Sequence, residues 1–89
     1  MDIVSSIKDL RSSLSGRGSA HRTGLVPTMG ALHDGHLSLV STVQQHASRV
    51  ATTIFVNPTQ FAAGEDFNSY PQTLDADLDA LERAGCDVV

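Results

Sequence analysis

Apolar positions along the 89-residue chain follow two alternating periods. Ile3, Ile7, Leu10 and Leu14 recur every three to four residues, which predicts an amphipathic helix over 3–14. Ser15-Gly16-Arg17-Gly18-Ser19 then reads as a flexible stop. Thr23 to Thr28 is short and mostly apolar, a first strand. A second helical stripe, Leu37, Val40, Val43 and Ala47, begins after Asp34, which can cap it. Arg49 to Val56 is β-branched and reads as a second, buried strand, closed by Asn57-Pro58. Residues 57–72 are polar, carry Pro58, Gly64 and Pro71, and are too many for a simple connection. Loops of that length are often functional. Tyr70-Pro71 reads as a turn before a third helix that begins at Thr73. In that helix Leu74, Leu78 and Leu81 are predicted to face inward. Asp75, Asp77 and Asp79, spaced by two, fall on different faces and are predicted to be solvated with Glu82. Gly85 ends the helix, and Asp87-Val88-Val89 begins a third strand.

The order α-β-α-β-α-β predicts parallel strands joined by crossover helices, an α/β doubly wound sheet. Ligands of such sheets bind outside the carboxyl ends of the strands. Segments 27–36 and 57–61 each follow the carboxyl end of a strand, so both are expected on one rim.

Size and charge narrow the field. One small domain is expected, burying roughly 60–65% of its unfolded surface. The net charge of -4 argues against a nucleic-acid partner, which favours a basic face. No apolar run approaches the roughly 20 residues needed to span a bilayer, and the N-terminus lacks the basic-then-apolar pattern of a signal peptide. The single cysteine, Cys86, cannot form an intrachain disulfide, which fits a reducing compartment. It is expected half-buried beside a strand.

The chemistry concentrates in Val26-Pro27-Thr28-Met29-Gly30-Ala31-Leu32-His33-Asp34-Gly35-His36-Leu37. A strand, a Gly-rich turn and a helix start form a place where free backbone N–H groups and the helix dipole favour phosphates. His33 and His36 add donors able to stabilise charge that develops on phosphate oxygens. Two other readings of the pair stay open at this point. His36 can simply cap the helix while His33 is a solvated turn residue, or His33, His36 and Asp34 can be metal ligands. His21 and His46 are expected on the surface. After the second strand, Asn57 and Gln60 each carry a donor and an acceptor suited to a small substrate with hydroxyl and carboxylate groups, and Phe61 can exclude water. The alternative is a loop whose amides satisfy their own backbone.

Pro27-Thr28-Met29-Gly30-Ala31-Leu32-His33-Asp34-Gly35-His36-Leu37 closely resembles the signature of the pantothenate synthetases (pantoate–β-alanine ligases). Phe55-Val56-Asn57-Pro58-Thr59-Gln60-Phe61 resembles their second signature, and Glu65-Asp66-Phe67 with Tyr70-Pro71-Gln72-Thr73 a third. The resemblance is collinear from about Val26 onward. It departs at Thr59, where the family usually has Met, and at Gln72, where it often has Arg.

The resemblance implies a Rossmann-like parallel sheet of the nucleotidyltransferase superfamily with a His-x-Gly-His type motif. It implies ATP-dependent activation of D-pantoate to pantoyl adenylate, with release of pyrophosphate. β-Alanine then attacks the adenylate to give pantothenate and AMP, a step toward coenzyme A. Magnesium accompanies ATP, and no protein-held metal is implied. By position, Met29, Gly30, Ala31, Leu32, His33, Asp34, Gly35 and His36 correspond to the ATP-binding stretch. His36 corresponds to the proton donor, with His33 its partner on the phosphates. Gln60, Asn57, Pro27, Thr28 and Met29 correspond to the pantoate and β-alanine site. A cytoplasmic homodimer is implied, with no nucleic acid and no membrane.

Family members are several-fold longer. Residues 1–89 are therefore expected to form the N-terminal part of the nucleotide-binding domain, with the remaining strands and a C-terminal lid domain absent, and to be inactive alone. Two alternatives stand beside this reading: another adenylyl-transferring nucleotidyltransferase, and a non-catalytic oligomerisation module of the same fold.

Overall fold

A computed structural model describes residues 1–15, 21–56 and 73–89. The elements run α1 (Ile7–Leu14), β1 (Thr23–Thr28), α2 (Asp34–Gln44), β2 (Arg49–Ile54) and α3 (Leu74–Ala84). β1 and β2 pair in parallel, from Thr23 opposite Arg49 to Thr28 opposite Ile54. Their carboxyl ends therefore lie side by side, as the α/β reading requires.

The sheet continues beyond β2. Val88 bridges in parallel to both Ala51 and Asp2. The Thr52 N–H donates to the Val88 carbonyl at 2.9 Å, and the Val89 N–H to the Asp2 carbonyl at 2.8 Å. Across the sheet the order is β1, β2, residues 87–89, then residues 2–4. The expected third strand is present as this short pairing.

The N-terminal segment corrects the sequence reading. Residues 3–14 were expected to be one helix, but the chain is extended at 2–4, and α1 starts only at Ile7. Ser6 supplies the N-cap, its hydroxyl accepting the Asp9 N–H at 3.1 Å. Pairing of Asp2 and Val4 with Asp87 and Val89 outweighs the helical spacing of Ile3 and Ile7. Those two side chains are exposed and α1 buries none of its residues. Arg49 ties this edge to α1: its guanidinium donates to the Ser13 carbonyl and lies 3.6 Å from the Asp2 carboxylate. Residues 16–20, most of the expected stop, lie outside the described residues.

Val26, Val40, Val50, Leu81 and Cys86 form the core cluster. Val40 from α2 and Leu81 from α3 are both fully buried. Each contributes about 1.5–3 kcal/mol by leaving water. α2 packs against β1, β2 and α3. Its approach to β1 depends on Gly24: an added Cβ there would collide with Val43 Cγ1. The predicted stripe of α2 is only partly buried, with Val40 sealed and Leu37 and Val43 half-buried. Ala47 lies past the helix end.

In α3, Leu81 faces inward as expected, whereas Leu74 is exposed. It occupies the first turn of the helix and lines a cleft. Gly85 terminates α3 in the left-handed conformation at φ 86°. β2 ends at Ile54 rather than Val56, although the Phe55 N–H still reaches the Thr28 carbonyl at 3.0 Å. Cys86 is buried rather than half-buried, with its Sγ 3.3 Å from the Thr52 hydroxyl. His21 and His46 are exposed as expected. Among the described residues, no helix is long and apolar enough to cross a membrane.

Candidate active site

The segment between β1 and α2 is a compact turn. Thr28 ends β1 with its hydroxyl donating to the Thr53 carbonyl at 2.8 Å and accepting the Gly30 N–H at 3.2 Å. The chain then takes two consecutive left-handed residues, Gly30 at φ 84° and Ala31 at φ 51°. Glycine adopts that conformation freely, but an alanine there costs about 1–2 kcal/mol. The compensation comes from α3. The Ala31 and Leu32 N–H groups donate to the two carboxylate oxygens of Asp77 at 3.0 and 2.9 Å. Hydrogen bonds to a charged partner contribute about 1.5–3 kcal/mol each, more than the strain at Ala31.

This overturns the expectation that Asp77 is solvated. It is 4% exposed, while its neighbours Asp75 and Asp79 are exposed. The spacing-of-two argument correctly separated the three carboxylates onto different faces. One of those faces is the buried one, because Asp77 precedes the fully buried Leu81 by four residues on the same stripe. A buried carboxylate is tolerated only when its lone pairs are used. Here two amides and the Thr73 hydroxyl, 3.2 Å from Oδ1, use them. The i, i+4 relation to Leu81 is the signal that could have found it.

His33, not Asp34, is the N-cap of α2. Its Nδ1 accepts the Gly35 N–H at 3.0 Å. In return His36 reaches back, its Nδ1 accepting the His33 N–H at 3.1 Å. Two imidazoles thus perform the reciprocal capping usually made by Ser or Thr with Glu. Asp34 takes the first helical position, where a negative charge suits the dipole. The rings lie 4.1 Å apart between centroids, tilted by 48°.

Capping determines the tautomer. With each Nδ1 accepting a backbone proton, a neutral ring carries its own proton on Nε2. Both histidines therefore offer an N–H donor on the side away from the backbone. His33 is exposed and His36 half-buried. The two readings of the pair that were set apart, helix cap and phosphate donor, are compatible because each ring has one nitrogen for each task. The turn amides are a different matter. Those of Gly30, Ala31, Leu32, His33 and Gly35 are all engaged within the protein. They were expected to be free for a phosphate, and in this arrangement these five are already used within the protein.

Beside the turn, a cleft of about 250 Å³ opens at the carboxyl ends of β1 and β2. Met29, Gly30, Ile54, Val56, Thr73, Leu74 and Asp77 line it. Of the residues expected at the acid-substrate site, Met29 lines this cleft. Pro27 is exposed on β1, and the Thr28 hydroxyl is committed to holding the turn. His33 and His36 stand at the start of α2 and do not line it. Asn57, Gln60 and Phe61 lie outside the described residues, as do the whole 57–72 segment, the third signature up to Gln72, and the departures Thr59 and Gln72. Ile54, Val56 and Thr73 are cleft residues that sequence reasoning did not single out. Among the described residues, no group of three or more His, Cys, Asp or Glu side chains is arranged to hold a metal ion.

Comparison with known proteins gives this geometry its setting. The chain is 54% identical over 89 residues to pantothenate synthetase of Thiobacillus denitrificans, and spans 100% of itself but 30% of that protein. To the pantothenate synthetase of Psychrobacter cryohalolentis it is 58% identical over 83 residues, 93% of this chain and 29% of that one. Among solved structures, pantothenate synthetase from Thermus thermophilus superposes with a TM-score of 0.88 at 43% identity, covering 99% of this chain and 30% of that chain. The pantoate-beta-alanine ligase of Francisella tularensis, solved with beta-gamma ATP and beta-alanine, superposes with a TM-score of 0.91 at 40% identity, covering 99% and 34%. The chain therefore spans about 30% of the length of the relatives it matches and shares the nucleotidyltransferase-type fold of these structures. The family model for pantoate-beta-alanine ligase matches residues 2–89, and with a histidine-capped turn at the head of α2 and matching relatives across its whole length, the chain belongs to the pantoate-beta-alanine ligase family.

Proposed function

We propose that this chain forms the nucleotide-binding start of an ATP-dependent ligase that joins D-pantoate to β-alanine through pantoyl adenylate. The observation that carries the reading is the His33–His36 pair, whose Nδ1 atoms are spent on the backbone and whose Nε2 donors stand at a helix N-terminus. Family membership supplies the substrates, and the Francisella tularensis relative was solved with beta-gamma ATP and beta-alanine.

In the first half-reaction a pantoate carboxylate oxygen bonds to the α-phosphorus of ATP, and the bond to pyrophosphate breaks. Negative charge grows on the α-phosphate oxygens and on the departing pyrophosphate. The two Nε2–H groups and the positive end of the α2 dipole stabilise that charge. His36 acts as proton donor and His33 as its partner. Met29 through His36 form the ATP-binding stretch. In the second half-reaction the β-alanine amine attacks the acyl carbon, AMP leaves, and the amine loses a proton. The cleft beside Met29 receives the acid substrates, and Gln60, Asn57, Pro27 and Thr28 are the further residues of the pantoate and β-alanine site. Mg²⁺ is carried by the ATP phosphates rather than by a cage of protein ligands, in keeping with its preference for phosphate and water oxygens. The full-length protein works as a cytoplasmic homodimer on these small molecules. Residues 1–89 form the N-terminal part of its nucleotide-binding domain and are inactive without the rest.

The test is pyrophosphate release from Mg-ATP by the full-length protein, with each substrate omitted in turn. Release that requires D-pantoate, with AMP and pantothenate appearing once β-alanine is added, is the expected result. A folded protein that releases pyrophosphate only with another acid, or with none, overturns the reading.

A further inference from the structure

The structure assigns to Asp77 the role of a positioning residue: its buried carboxylate fixes the turn that aims His33 and His36. The inference deepens the proposed function and rests on it for its kinetic consequence. Asp77 lies forty-odd residues from the turn in sequence, yet one oxygen takes the Ala31 N–H at 3.0 Å and the other takes the Leu32 N–H at 2.9 Å. Leu32 directly precedes the N-cap His33, so this clamp determines where the capping imidazole starts. His33 in turn passes its own N–H to His36 Nδ1. A continuous set of hydrogen bonds thus leads from α3 through the turn to both rings.

Three further observations separate this role from ordinary packing. The clamp bonds the peptide N–H groups that directly follow the two residues with left-handed backbone, Gly30 and Ala31, a conformation that persists only where its surroundings over-determine it. The fit is close, since a Cβ added at Gly30 would stand 3.2 Å from Asp77 Oδ2. The carboxylate is itself braced, by the Thr73 hydroxyl at 3.2 Å and by its own N–H bonding the Thr73 carbonyl at 2.9 Å. Three of the carboxylate's roughly four acceptor sites are taken by these bonds, and through them the side chain acts on the turn. Asparagine has nearly the same shape but offers one acceptor in place of two, and would set an N–H₂ against a backbone N–H.

The experiment combines imidazole and amide NMR with pyrophosphate release, in wild type and Asp77→Asn of the full-length protein. In wild type, the Ala31 and Leu32 amides are expected to exchange as slowly as those of the core strand β2. Exchange of both at unprotected rates would overturn the inference with no variant needed. In folded Asp77→Asn, these amides should exchange at least about tenfold faster. The His33 and His36 ring resonances should shift, and adenylate formation should slow about 10- to 100-fold, the scale of a small misplacement of groups that hold the reacting centre. A purely structural role would lower the unfolding temperature and leave the ring resonances and the rate per folded molecule within about twofold of wild type, and that result would also overturn it. If wild type releases no pyrophosphate with pantoate, the reaction reading fails, while the amide and ring resonances still decide the role of Asp77.

Discussion

The imidazole of His33 and the backbone of Gly35 meet in a contact that leaves no room for a side chain. Gly35 donates its N–H to His33 Nδ1 at 3.0 Å, and a Cβ added at Gly35 would lie 2.7 Å from Cε1 of the same ring. Glycine at this place is thus explained by the space a capping ring needs. The glycine-rich character of the turn, read in the sequence as part of a phosphate-favouring junction, here serves the protein's own histidine.

Gly35→Ala should therefore displace the His33 ring. Loss of the cap costs about 0.5–2 kcal/mol of stability, readable by denaturant unfolding. Adenylate formation in the full-length protein should fall by more than that stability loss accounts for, because the displaced ring also carries an Nε2 donor. Unchanged pyrophosphate release in this variant would remove His33 from the reaction.

Substitution can separate the capping contact of His36 from its proposed role as donor. His36→Asn keeps a short acceptor for the His33 N–H but removes the distant Nε2–H, so the fold should persist while pyrophosphate release falls about 10²- to 10³-fold, the usual loss for one donor to a developing oxyanion. His36→Ala should lose the rate and also about 0.5–2 kcal/mol of stability as the cap opens. Comparing the thermal unfolding of the two variants checks the contact, and single-turnover pyrophosphate release checks the role.

Gly24 tests the packing of α2 on β1. Gly24→Ala would drive a methyl into Val43 Cγ1, and overpacking of this kind costs about 1–3 kcal/mol. Val43→Ala in the same chain removes the atom it would strike, so the double variant should be more stable than the sum of the single losses allows. A double-mutant cycle in urea measures the difference, and strict additivity would mean that the helix shifts away as a body instead.

Much of the architecture was legible from side-chain pattern. β1 was bounded correctly, because Thr23 to Thr28 is a compact apolar run between polar segments. The start of α2 was found within one residue, and α3 with its terminal Gly85 was read from helical spacing and one left-handed position. The family was legible from Pro27 to Leu37 together with the two signatures that follow it. The errors have a common cause. Ile3 and Ile7 have helical spacing, but the backbone at Asp2 and Val4 has strand partners near residue 88, and no local pattern reveals a partner that distant. Asp34 suits the cap by residue type, whereas the geometry of the turn brings an imidazole to the Gly35 N–H.

Asp77 marks the division most clearly. The sequence by itself determined the periodicities, the parallel α/β order, the two histidines at a helix start and the family they belong to, because each is carried by residues close together in the chain. Tertiary structure alone decided that the carboxylate of Asp77 lies buried against the Ala31 and Leu32 amides. It also decided that the imidazoles are held by their Nδ1 atoms and that residues 2–4 close the edge of the sheet. Hydrogen-bond partners far apart in sequence are brought together only when the helices and strands pack, and a backbone amide gives no sign in the sequence of which acceptor it will meet.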